Sequence, residues 1–164
     1  MIEQTYPIAE KLIANALQLA QQLHHELTQE ASALKKMQQA ERIGTIADSK
    51  KQLVAQLDQL NAQITQILAI EKLPNTPDSV KDYFKSAETA GLPTAESANN
   101  WTQLMRVCSE CRRQNEENGA SIDVLSRHAQ RSLNIIKGKP ESANTYDADG
   151  STHSERHTSP LISV

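Results

Sequence analysis

Residues 43–67 read IGTIADSKKQLVAQLDQLNAQITQI, and their spacing decides the fold. Ile43, Lys50, Leu57 and Ile64 recur every seven residues, and Ile46, Leu53, Leu60 and Ile67 repeat the interval three positions on. These are the a and d positions of a heptad repeat, which an α-helix lines up as one seam facing a partner helix. Lys50 is the one charged residue in that seam. Its stem can cover apolar surface while its ammonium reaches water or a glutamate of a neighbouring helix.

Working outward, the chain has no Pro or Gly between Pro7 and Gln39, and Leu12, Leu19, Leu23, Leu27, Leu34 and Met37 form one helical face. Pro7 stands near the start of that helix, where its missing N–H does no harm. Gly44 suggests a break within 38–45 before the second helix, which ends before Pro74. Pro74, Pro77, Gly91 and Pro93 then punctuate a connector, in which Asp78 is placed to cap a short helix over Ser79–Glu88 carrying Tyr83 and Phe84. The third long helix runs from about Ala95 to Lys137, with Trp101, Cys108, Asn115, Ile122, Ala129 and Ile136 again spaced by seven. A second series, Leu104, Cys111, Asn118, Leu125 and Ser132, follows beside it.

No helix with so narrow a stripe can bury it alone. The expected fold is therefore all-α: an elongated antiparallel three-helix coiled-coil bundle with helices over about 6–38, 43–72 and 95–137 and a connector over 73–94. Residues 1–137 form the expected bundle domain. Residues 138–164, rich in Ser, Thr, His, Asp and Gly, read as a flexible, disordered C-terminal tail.

Composition agrees. Across 164 residues, 38% are hydrophobic and 3% aromatic, with one Trp, one Phe and three Tyr, too few bulky side chains for a thick sandwich or doubly wound core. A net charge of −3 lacks the basic footprint of a nucleic-acid binder. No stretch approaches the roughly 18 apolar residues of a membrane span, and the N-terminus lacks a basic segment leading into an apolar run. A soluble, cytoplasmic protein is expected. The two cysteines, Cys108 and Cys111, cannot staple a chain of this length.

Candidate chemistry is sparse. Cys108 and Cys111 have C-x-x-C spacing but no second ligand pair, and they fall on seam positions inside a helix. They read as small core hydrophobes, with a regulatory or metal role as the alternative. His24 and His25 point about 100° apart on their helix and cannot share one ion, while His153 and His157 lie in the tail. No nucleophile elbow, phosphate loop or H-E-x-x-H is present, so neither enzymatic activity, a metal nor a cofactor is expected.

Asn115-Glu116-Glu117-Asn118-Gly119 is unusual, because two amides occupy successive seam positions next to a glycine in mid-helix. One reading is architectural: the glycine admits a neighbouring helix, and the amides bridge to its backbone or polar groups. The other is a weak point where the bundle opens for a partner. Farther on, Ile122, Val124, Leu125, Leu133, Ile135 and Ile136 cover more than one helical face. That surplus suits a binding groove or packing against the first helix.

These features resemble the FlgN-type flagellar export chaperones. The likeness lies in Asn115–Gly119, Ile122, Leu133-Asn134-Ile135-Ile136, the tail segment Thr145-Tyr146-Asp147-Ala148-Asp149-Gly150 and the terminal Ile162-Ser163-Val164. The family carries an N-x-x-N-G type motif in its last long helix and a Y-G-A-D-G type motif in its tail. Asp147 stands where the family usually has Gly. Glu30, Ala33, Leu34, Lys50, Leu53, Leu57 and Trp101 are similar more loosely.

The resemblance implies a cytosolic chaperone of the flagellar type III export system. Such a chaperone holds the C-terminal segments of hook-associated (hook–filament junction) proteins, prevents premature assembly and delivers them to the cytoplasmic domain of the export gate. On that basis Ile122, Leu125, Leu133, Ile135, Ile136 and the tail are expected to contact the client, and Tyr146 the gate. Asn115, Asn118 and Gly119 are expected to be structural. No nucleic acid and no membrane insertion are expected, and dimerisation of the free chain is left open. The alternative is a coiled-coil scaffold or oligomerisation adaptor that joins identical chains, which gives no reason for an isolated Tyr146 in a polar tail.

Overall fold

The protein is described over residues 1–36 and 40–137 of a computed structural model. Residues 37–39 and 138–164, including Met37 and Tyr146, lie outside the described residues. Among the described residues there are four helices and no strand: α1 (Ile2–Lys35), α2 (Ala40–Ile70), α3 (Pro77–Thr89) and α4 (Ala95–Ile136). The chain divides into two compact units, 1–118 and 119–164, and each is taken by itself below.

In the first unit α1 runs antiparallel to α2. Thr5 donates a 2.8 Å hydrogen bond to Glu71 at one end, and Lys50 Nζ lies 2.8 Å from Glu30 Oε2 at the other. Against α4, α1 runs parallel and in step. Tyr6 meets Ser97, Ala20 meets Cys111 and Leu27 meets Asn118, each pair separated by 91 residues along the chain. That interval is a whole number of heptads, so the facing stripes keep phase across three of them.

Two apolar clusters fill this unit. One gathers Tyr6, Ala9 and Ile13 of α1, Ile64, Ile67 and Leu68 of α2, and Val80, Tyr83, Phe84 and Ala87 of α3. The other joins Ala16, Leu17, Ala20, Leu23 and Leu27 to Leu104, Val107 and Cys111. Trp101, half-buried, packs against both. The scarce aromatics are thus concentrated where α3 closes one end, with Tyr6 and Tyr83 stacked at 6.4 Å and Tyr83 edge-on to Phe84 at 6.2 Å. The Tyr6 hydroxyl donates to the Pro93 carbonyl at 2.7 Å, tying α1 to the α3–α4 connection.

Local chemistry differs from expectation in four places. The α1 helix begins at Ile2, a turn earlier than expected, so Pro7 lies inside it. The carbonyl that loses its partner to Pro7 belongs to exposed Glu3, where water can replace the bond. The cap of α3 is Thr76 rather than Asp78: its hydroxyl accepts from Ser79 N, and Pro77 takes the first helical position. Gly44 lies within α2 instead of breaking the chain ahead of it.

Finally, the buried arc of α1 is wider than the leucine stripe, taking in Ile13, Ala16, Leu17 and Ala20 while Leu12 and Leu19 stay half-buried. A helix packed against two neighbours buries two flanks, and alanines allow the close one. Helix α3 stops on Gly91 at φ +83°, with Leu92 N bonded to Ala87 O, and α2 stops the same way on Lys72 at φ +60°.

Candidate functional site

Two features of α4 stand out, one in each unit. In the first unit Asn118 is 4% exposed and its amide nitrogen donates to the Leu27 carbonyl and to Glu30 Oε2, both at 2.9 Å. Glu30 is 1% exposed, and its carboxylate also receives Lys50, whose ammonium continues to Asn115 Oδ1 at 3.3 Å. One carboxylate therefore joins α1, α2 and α4. A buried charge is tolerable only when paired and hydrogen-bonded in this way, and the arrangement fixes the register of three helices.

Lys50 thus reaches a glutamate across the bundle, and Asn118 bridges to both backbone and side chain. Gly119 behaves otherwise. A Cβ built there meets nothing within 4 Å, so the glycine is not needed for close approach of a neighbouring helix. The Glu30–Asn118 link was not readable from periodicity, because it joins positions 88 residues apart.

In the second unit, residues 119–137 expose most of their apolar side chains. Ile122, Val124, Leu133, Ile135 and Ile136 are 37%, 59%, 46%, 72% and 80% exposed, and Leu125 is half-buried. Helical geometry sorts them. Ile122, Leu125, Ala129, Leu133 and Ile136 step by three or four residues and share one stripe. Ile135, grouped with these at the sequence level, does not share it: one residue before Ile136 it is turned by about 100°. It lies instead with Val124 on the far side. Ser126, Gln130 and Ser132 flank the apolar stripe, with Lys137 beside it at its C-terminal end.

Elsewhere the side chains point away from chemistry. Cys111 is buried, its Sγ 3.7 Å from the Ala20 carbonyl, and its thiol is pushed up to about 11, chiefly by burial. Burial likewise raises the Cys108 thiol. Both are free thiols held protonated at neutral pH, poor nucleophiles and poor ligands. Among the described residues, no group of three His, Cys, Asp or Glu converges to hold a metal. No described helix is long and apolar enough to cross a membrane.

Neither a curated protein nor a solved structure matches the chain. The sequence model of one family, described as FlgN protein, matches residues 5–154, which takes in α1 from Thr5 onward, the other three helices and the segment around Tyr146. By this match over most of its length, the chain belongs to the FlgN family, the cytoplasmic, non-enzymatic flagellar export chaperones for hook-associated proteins.

Proposed function

We propose that the client site is the stripe Ile122, Leu125, Ala129, Leu133 and Ile136, and that it receives amphipathic C-terminal segments of hook-associated proteins. The observation that carries this reading is an apolar stripe at helical spacing, stepping by three or four residues and left open to solvent within 119–137. An incoming amphipathic helix with apolar residues three or four apart would bury it. Holding that segment keeps the client from assembling early.

Residues 138–164 complete the site as a separate tail from the 1–137 helical domain, and Tyr146 carries the loaded complex to the cytoplasmic domain of the export gate.

The test is calorimetric titration of the full chain with C-terminal fragments of hook-associated proteins. Leu125→Ser with Leu133→Ser should weaken binding about tenfold or more without changing helicity. Unaltered affinity would move the client elsewhere. Tyr146→Ala should leave client affinity intact and reduce secretion. Mass determination of the free chain and of the complex tells a chaperone–client pair from a self-associating scaffold.

A further inference from the structure

On the side of 119–137 away from the apolar stripe stand Arg127 and Arg131, one helical turn apart and about 160° round the axis from Ala129. Both are exposed, as is His128 beside them. Among the described residues neither guanidinium has an ion-pair partner, and Arg127 Nε donates to the Asp123 carbonyl at 3.3 Å. Asp123 is the single acid in residues 119–137.

The chain that continues from this helix carries the complementary charge. Residues 142–154 contain two carboxylates and no Lys or Arg, and the two are Asp147 and Asp149, on either side of Ala148. Asp147 stands where the family usually has Gly, so the acidic pair is a feature of this chain rather than of the family motif. In an extended segment, residues two apart point to the same side about 6.5 Å from each other. Arg127 and Arg131 are spaced along their helix by about 6 Å.

Reach agrees with spacing. Arg131 and Arg127 lie about 8 and 14 Å back from the end of the helix at Ile136. The ten residues 137–146 lead to Asp147, and a coil of that length spans about 17 Å on average. Gly138 and Pro140 stand where the chain has to reverse. Reversal there makes the order antiparallel, with Asp147 arriving at Arg131 and Asp149 at Arg127.

We propose that Asp147 and Asp149 fold back onto Arg131 and Arg127, so that the chain's own tail occupies this face and restrains Tyr146 beside it. Exposed ion pairs are weak singly, but a short tether presents the carboxylates at about millimolar effective concentration. The result is a latch that salt opens readily. The pairing is independent of the client site on the other side of the helix. Its consequence for export rests on the reading of Tyr146 as the gate contact: the tyrosine is freed only when the two pairs part.

The experiment follows the amide signals of residues 145–150 by NMR in the full chain at low salt. Arg127→Glu with Arg131→Glu should move them in the same direction as about 1 M salt does, while Arg127→Lys with Arg131→Lys should hold them near their original positions. Reciprocally, Asp147→Asn with Asp149→Asn, which leaves the helix untouched, should move the Nε–H signals of Arg127 and Arg131. Chymotrypsin should cut after Tyr146 several-fold faster once either pair of charges is removed.

Signals and cutting rate that are the same with and without the charges overturn the proposal. Shifts that grow with protein concentration overturn it too, since a second copy would then supply the carboxylates. If the charge reversal lowers helicity by circular dichroism, the Asp147→Asn with Asp149→Asn arm decides. Failure of the Tyr146 reading shows separately, as secretion indifferent to Tyr146→Ala in a chain whose pairing signals are intact.

Discussion

The two parts of α4 on either side of Asn118 differ in what becomes of their apolar residues. Before it, Leu104, Val107 and Cys111 are buried against α1. After it, Ile122, Leu133 and Ile136 follow the same helical spacing and face solvent. Secondary structure is the same throughout, because helical periodicity records only that a stripe will be covered. Whether the cover comes from the same chain or from another is a tertiary matter.

Several substitutions would sharpen or break that contrast. The largest effect should come from Leu27→Ala, which empties a site 1% exposed in the α1–α4 seam. A loss of about 3–4 kcal/mol is expected in denaturant unfolding, and a loss below about 1 kcal/mol would mean that the seam is not tightly packed. Lys50→Ala should follow at about 3 kcal/mol, because it leaves the buried Glu30 carboxylate with Asn118 alone. Replacing Glu30 and Lys50 together by Leu should return much of that stability, as apolar pairs often match buried ion pairs.

Beyond Asn118 the expected pattern inverts. Leu133→Ala should change unfolding by no more than about 0.5 kcal/mol while costing client affinity by calorimetry. A large stability loss there would show that the stripe is already covered within the chain. The smallest effect is a gain: Gly119→Ala, with open space around the new methyl, should stabilise the helix by about 0.5–1 kcal/mol. Thermal unfolding followed by circular dichroism would show it.

Much of this was legible in the sequence, though unevenly. The three long helices, the short aromatic-bearing one and the surplus apolar surface after Asn118 all followed from spacing and punctuation. Depth of burial did not. Residues 43–67 hold the cleanest heptad, yet only Ile46, Ile64 and Ile67 of that stretch are buried, and Leu53, Leu57 and Leu60 are half-exposed. By contrast α1, whose leucine stripe is less regular, is buried along two flanks with alanines in the contact.

Periodicity measures how well a helix is phased, whereas burial depends on how many neighbours surround it. The Glu30–Asn118 bond and the division of 119–137 into two stripes needed a register and a helix axis, respectively. Val124 and Ile135 could have been assigned to the second face by angular position alone. The α3 cap at Thr76 carried its own signal, a hydroxyl followed by proline at the first helical position.

The in-step pairing of α1 with α4 also constrains how the chain can change in length. A residue inserted in α1 between Tyr6 and Leu27 would turn everything after it by about 100°, pulling Leu27 and Glu30 away from Asn118 while leaving α4 in its old frame. Compensation would require a matching insertion in α4, whereas residues added in the connection over 71–76 disturb neither frame. Insertions and deletions inherited by this chain should therefore fall in its connections or occur as pairs in the two parallel helices.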